Sequence, residues 1–292
     1  MSQSVRVLVT GAGGQLGREL LHHAPATVEV VACSRQDLDI ADHRAVMDRV
    51  QGESPDWIIN AAAYTAVDRA ESEPDLAWTI NAEAPGWLAE AAGKVGARLI
   101  QVSTDYVFSG EDPRHHAVGD PPSPINVYGR TKLEGERRVL AVLEDGVIVR
   151  TAWVYSRYGY NFVKTMLRLM AERDELRVVV DQLGTPTWAR GLAQTLWSLV
   201  TDSGSPPARG IYHWTDAGVA SWYDFAVAIQ EESLGMGLLS RRIPLIPIAT
   251  SAYPTPARRP MCSLLEKSRI HRERGLVPEH WRVGLRGMLR DH

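Results

Sequence analysis

The chain has 292 residues, 45% of them apolar, and a formal net charge of −3 at pH 7. That is enough apolar mass for one large domain or two modest ones. A mildly acidic balance with no basic block argues against a nucleic-acid partner, while leaving room for a small anionic ligand met by a local cation. The two cysteines, Cys33 and Cys262, cannot form a disulfide framework, and Cys33 in its apolar run reads as a small core residue. No cluster of residues has metal-ligand spacing.

In chain order, the N-terminal stretch MSQSVRVLVTGAGG enters a strand at once instead of reading as a signal peptide. No run approaches membrane-spanning length, so a cytosolic protein without a membrane partner is expected. Strands are expected at 5–10, 28–33, 56–60, 98–103 and 146–150, with helices at 15–23, 43–50 and 82–95 between them. Apolar strands alternating with helices indicate a parallel sheet covered on both faces, an α/β, Rossmann-type doubly wound arrangement. The pattern changes after about residue 155. A helix at 161–173, a strand at 176–181, a helix near 188–201, a strand at 210–214, a helix at 221–232 and a Pro-rich stretch at 243–260 form a smaller, less regular unit. Residues 1–155 are thus expected to form the first domain, with the chain returning to it at about 182–216, and 156–292 mainly a second. The loop at 110–126 is long enough to be functional or mobile. The adjacent pairs His22-His23 and His115-His116 should diverge, and both read as solvated.

TGAGGQLG follows the first strand and opens the first helix, with Gly11, Gly14 and Gly17 spaced for a phosphate loop and Gln15 and Leu16 between them. In that setting glycine lets the backbone approach a pyrophosphate, whose charge is met by the helix N-terminus. At the end of the second strand, Ser34 and Arg35 suit the 2′-phosphate of NADPH, since arginine pairs with phosphate through two N–H groups. Asp37 and Asp39 keep NADH open. Asp39 and Ile40 fit under an adenine, one accepting from its amino group and the other packing on the ring.

VYGRTKLEGE (127–136) places Tyr128 four residues before Lys132, on one face if the segment is helical. A cation beside a phenol favours the ionised form and lowers its pKa. Alone, the spacing is as common as chance. VSTDYVFSG (102–110), however, ends a strand with hydroxyls at Ser103 and Thr104 and a carboxylate at Asp105, where ligands of parallel sheets bind. A Ser/Thr, Tyr and Lys set in this order resembles the apparatus of short-chain dehydrogenases. Arg259, in PTPARRP, is a candidate cation for a ligand's diphosphate; anchoring of the C-terminal segment is the other reading.

The resemblance narrows with NAAAYTAVDRAESEP (60–74), PINVYGRTKLEGE (124–136), RTAWVYSRYGYNFVKTMLR (150–168), DQLGTPT (181–187), GIYHW (210–214) and SAYPTPARRP (251–260). Together these segments resemble the dTDP-4-dehydrorhamnose reductase family of extended short-chain dehydrogenases, over nearly the whole chain. The resemblance implies a Rossmann domain with a smaller C-terminal sugar-nucleotide domain. It also implies NADPH-dependent reduction of the 4-keto group of dTDP-6-deoxy-L-lyxo-4-hexulose to dTDP-L-rhamnose. By position, Tyr128 is then the proton donor, Lys132 binds the nicotinamide ribose and tunes the tyrosine, and Thr104 contacts the sugar. Ala61, Ala62, Ala63 and Tyr64 form a loop beside the cofactor, and Trp153 packs on the deoxysugar. Asp105 and Asn161 fall on the substrate side, although Asp105 also suits a turn and Asn161 a helix N-cap. Some members carry magnesium at a dimer contact through glutamates. With Arg190 at one such position and His292 at the end, a metal is not expected here, and a homodimer is left open. Two other readings stand beside this one: a sugar-nucleotide epimerase or dehydratase, and a non-catalytic regulator resembling the β subunit of methionine adenosyltransferase.

Overall fold

The computed structural model describes residues 4–201 and 207–291; residues 1–3 and His292 lie outside the described residues. The first half alternates as expected: β1 (Val5–Thr10), α1 (Gln15–His22), β2 (Val28–Cys33), α2 (His43–Glu53) and β3 (Trp57–Asn60). Short helices α3 (Val67–Ala70) and α4 (Pro74–Trp78) then run through a π turn at Thr79–Glu83 into α5 (Ala84–Val95). After these come β4 (Arg98–Thr104), α6 (Val127–Val142) and β5 (Val147–Thr151).

Beyond β5 the elements shorten to β6 (Val154–Tyr155), α7 (Phe162–Glu172), β7 (Leu176–Val179), β8 (Leu183–Gly184) and β9 (Thr187–Trp188). The helix α8 (Ala189–Thr201) and strand β10 (Gly210–His213) precede β11 (Ala220–Ser221), α9 (Trp222–Gly235) and β12 (Leu245–Ile248). The helices α10 (Ser268–Arg274) and α11 (Trp281–Arg290) complete the fold.

Six strands make one parallel sheet in the order β10-β5-β4-β3-β1-β2. Side chains alternate across it. Val7 and Val9 pack with Leu20 of α1 and Leu196 of α8 on one face, while Leu8 packs with Val46 of α2 and Leu88 of α5 on the other. Burial on both faces explains why these strands read as continuous apolar runs. The chain goes from β1 outward to β2, then back across to β3. This reversal opens a crevice at the carboxyl ends of β1 and β3. A separate apolar cluster joins Met166 of α7, Phe225 of α9 and Leu285 of α11. Among the described residues, no helix is long and apolar enough to cross a membrane.

Four differences from expectation have physical causes. The Pro-rich stretch contains β12, which pairs with β7 alone; Pro247 is tolerated there because an edge strand needs no donor on its outer side. The expected helix at 82–95 begins earlier, as the π turn at Thr79. The loop at 110–126 is tied down, with His116 N bonded to Leu264 O at 2.7 Å and Ser123 N to Val107 O at 2.9 Å. Finally, His116 is not solvated but buried, its ring stacked on Phe108 at 4.4 Å between centroids, whereas His22 and His115 are exposed and His23 is half-buried beside Glu19. Adjacent side chains do diverge, but in an anchored loop one of the two is sent inward.

Candidate active site

The crevice is a cavity of about 580 Å³, a size suited to a cofactor or drug-sized ligand, lined by the first loop, the ends of β3, β4 and β5, and α6. At its floor Gly11 has φ +67°, and a Cβ there would lie 2.7 Å from the backbone nitrogen of Ala62. Only glycine lets the first loop press against the one after β3. Gly14 N bonds back to Gly11 O at 2.9 Å, and the loop then opens into α1 at Gln15, with Gly14 as its extended N-cap. Gln15, Leu16, Arg35, Asp39, Ile40 and Ala61–Ala63 all line it. Ser34 does not; its hydroxyl donates to Asp37 at 2.6 Å and so shapes the turn that presents Arg35. Tyr64 is also turned away, with its hydroxyl on Glu73 at 2.5 Å and its backbone held by Asn81 from the π turn.

The helix α6 is capped by Asn126, whose side chain accepts from Gly129 N at 2.8 Å. Two glycines let it lie flush. A Cβ on Gly129 would stand 2.1 Å from Tyr106 O, and one on Gly135 2.1 Å from Asn81 O. Tyr128 and Lys132 therefore reach the cavity from one fixed helix face, together with Thr104 at the end of β4. Lys132 Nζ donates to Val102 O at 2.7 Å, and burial pulls the ammonium down to about 8, with the charge of Glu136 opposing. Burial pushes the Tyr128 phenol above its ordinary value, and the Thr104 hydroxyl acts the other way. Desolvation sets the direction, and the lowering by Lys132 expected from the spacing is not among its causes.

Thr104 Oγ1 donates to Asp105 Oδ1 at 2.8 Å, and burial lifts the Asp105 carboxyl to about 6 against hydrogen bonds from Ser263 and Thr104. Asp105 Oδ2 is buried without a partner, as is Thr151 Oγ1 directly across from Thr104 on β5. Both residues line the cavity, and the Thr151 hydroxyl is a polar group there with its hydrogen bond still to make. Trp153 lines it too, at the unusual φ of +47°. Its ring lies flat on that of Trp222, another lining residue.

Asn161 and Arg259 are not in the lining. Asn161 caps α7 by accepting from Lys164 N at 3.1 Å, and its amide donates to Gln15 Oε1 at 2.9 Å. Arg259 is held by Asp68 through Nη1 at 3.0 Å and Nη2 at 2.8 Å. Sequence reasoning missed Thr151 and Trp222. The first sits inside the RTAW segment and the second follows the Ser221 cap of α9, and neither position carries a local sign of facing a cavity. Among the described residues, no group of three or more His, Cys, Asp or Glu could hold a metal ion, and Arg190 is paired with Asp291.

The family model described as RmlD substrate binding domain matches residues 5–292. A dTDP-4-dehydrorhamnose reductase of Streptomyces griseus is 46% identical over 96% of this chain and 91% of its own length. One from Escherichia coli is 40% identical over 98% of both chains. Among solved structures, dTDP-4-dehydrorhamnose reductase from Bacillus anthracis in complex with NADP superposes with a TM-score of 0.93 at 36% identity, covering 99% of this chain and 100% of that one. The chain belongs to the RmlD family, the family of the dTDP-4-dehydrorhamnose reductases.

Proposed function

We propose that the protein reduces the 4-keto group of dTDP-6-deoxy-L-lyxo-4-hexulose to give dTDP-L-rhamnose, with NADPH as reductant. The observation that carries this reading is the convergence of Tyr128, Lys132 and Thr104 on one cavity whose floor is the glycine loop. That floor suits a dinucleotide, because Gly11, Gly13 and Gly14 line the cavity between the end of β1 and the start of α1, with no side chain in the way. Gly11, Gly14, Gln15 and Leu16 would hold the pyrophosphate, Arg35 the 2′-phosphate, Asp39 and Ile40 the adenine, and Ala61–Ala63 and Lys132 the remainder. When bound, the cofactor supplies the hydride.

The side chains of this chain do the rest. Tyr128 holds its phenolic proton, because burial keeps the phenol neutral, and donates it to the substrate oxygen as negative charge develops there. Such general acid catalysis is typically worth about 10²–10⁴-fold, and positioning must supply the remainder. Thr104, once its hydroxyl turns from Asp105 Oδ1, offers a second hydrogen bond to that oxygen. Lys132, still mostly charged at pH 7 with its ammonium at about 8, contributes a fixed positive charge. Asp105, Trp153 and Trp222 form the sugar side.

The test is stoichiometric NADPH oxidation on the dTDP keto sugar, made in situ, with dTDP-L-rhamnose as product. Retention and internal recycling of NAD would instead mark an epimerase or dehydratase. Absence of turnover with binding to a methionine adenosyltransferase would mark a regulator.

A further inference from the structure

Beneath Lys132 lies an ion pair that the reaction as described does not use. Glu136, one turn further along α6, accepts from Arg150 Nε at 2.9 Å and Nη2 at 2.6 Å, and from the hydroxyl of Ser103. Both side chains of the pair are only 2% exposed. Stripping two charges of water costs about what their attraction returns, so such a pair adds little net stability over apolar residues of the same volume. Its placement is the informative feature. Three successive residues of β4 serve three partners: the Val102 carbonyl takes Lys132, the Ser103 hydroxyl takes Glu136, and Thr104 faces the cavity. Arg150 is the β5 neighbour of Ser103 in the sheet register.

We propose that the Glu136–Arg150 pair is a positioning device for Lys132, fixing α6 against β4 at the level of the Val102 carbonyl and keeping the ammonium charged. Glu136 on its own helix is the charged group that acts on Lys132, with Arg150 of β5 bonded to Glu136 and with Tyr128 of α6 and Asp105 after β4 lining the same cavity. Behind Arg150, His213 of β10 lies 3.5 Å from Nη1 and is pushed down to about 3 by burial and by that guanidinium, so it stays neutral. Glu136 is the group whose charge counters the desolvation of Lys132. Without it, Lys132 loses its proton at lower pH.

The inference rests on the reductase reading, so NADPH affinity, which needs no turnover, is measured beside the rate. Glu136→Gln is expected to lower kcat/KM about tenfold, to weaken NADPH several-fold, and to move the alkaline fall of the rate to lower pH. Because this variant strands a buried Arg150, the double variant Glu136→Leu/Arg150→Met is made as well; it removes both charges and is expected to keep the wild-type melting temperature. In the double variant the shifted pH profile and weakened NADPH binding should persist. Recovery of the wild-type profile and affinity would overturn the proposal, and so would an unfolded double variant, which would make the pair an element of stability. A wild-type protein that binds NADPH but never turns over would count against the reductase reading instead.

Discussion

Trp153 and Trp222 lie face to face, 3.5 Å between ring centroids and 5° between planes, and the Trp153 indole also abuts Gly184, where a Cβ would stand 2.4 Å from it. Trp153 pays for this with a left-handed backbone, a conformation that costs a bulky residue on the order of 1–3 kcal/mol and persists only where its surroundings impose it. Trp222→Ala removes one wall. An aromatic pair is worth about 0.5–1.5 kcal/mol beyond its area, so the KM for the keto sugar should rise about two- to tenfold while that for NADPH stays put. Equal rises in both would show that the stack does not belong to the sugar side.

Tyr128→Phe keeps the ring and its edge contact with Tyr106 at 5.5 Å, removing only the hydroxyl. Turnover should fall by at least about two decades, with NADPH affinity unchanged, because the phenol acts on the transition state. Single-turnover kinetics together with a fluorescence titration of NADPH separates the two quantities.

Arg35 is exposed and lines the cavity, and in the proposed reading it meets the 2′-phosphate that only NADPH carries. Arg35→Ala should weaken NADPH at least about tenfold more than NADH, since charge-assisted paired bonds are lost to one cofactor alone. Matching losses for the two would reduce Arg35 to a surface residue.

Asp105→Asn should make the protein more stable at neutral pH and a poorer enzyme. The buried carboxyl sits at about 6, above its unfolded value near 3.8. The folded state therefore holds that proton more tightly, and wild-type stability drops as pH rises from about 4 to 6 and then levels off. The asparagine variant escapes this drop. Melting curves should coincide near pH 3.5 and separate above pH 6, by an amount of order 3 kcal/mol for a two-unit shift.

Arg259→Ala and Asp68→Asn should behave alike, lowering the melting temperature while leaving the ratio of the two KM values unchanged. The pair clasps the segment around Thr255 and Ala257 to α3, with Ala257 N also bonded to Asp68 Oδ1 at 3.1 Å. The Arg259 hydrogen bond holds the Asp68 carboxyl below its ordinary value. Its contribution is therefore present above about pH 4 and lost as pH falls further, so the difference between wild type and Asp68→Asn should vanish in acid. A selective rise in the KM for the sugar would return Arg259 to the diphosphate.

What was readable in advance follows a physical division. Tyr128, Lys132, Thr104 and the glycines were legible because each owes its place to one element and its end: a helix face, a strand terminus, a βα turn. Thr151 and Trp222 owe theirs to neighbours distant in sequence, a β4 register for the first and a stack on Trp153 for the second. Glu136 went unread because nothing local announces that Arg150 will reach it from β5. Arg259 carried two readings for the same reason, since its partner Asp68 lies 191 residues away. The strand β12 was hidden by its prolines, which only an edge position excuses.

The hydrogen bond from Asn161 to Gln15 has a mechanical consequence. Gln15 belongs to the first turn of α1 and Asn161 caps α7, and Gly159, with φ +63°, leaves room for the Gln15 side chain where a Cβ would stand 3.0 Å from it. The helix α1, whose first turn lines the cavity, and the helix α7 are thus pinned to each other. Any widening of the cleft must either break this hydrogen bond or turn about it.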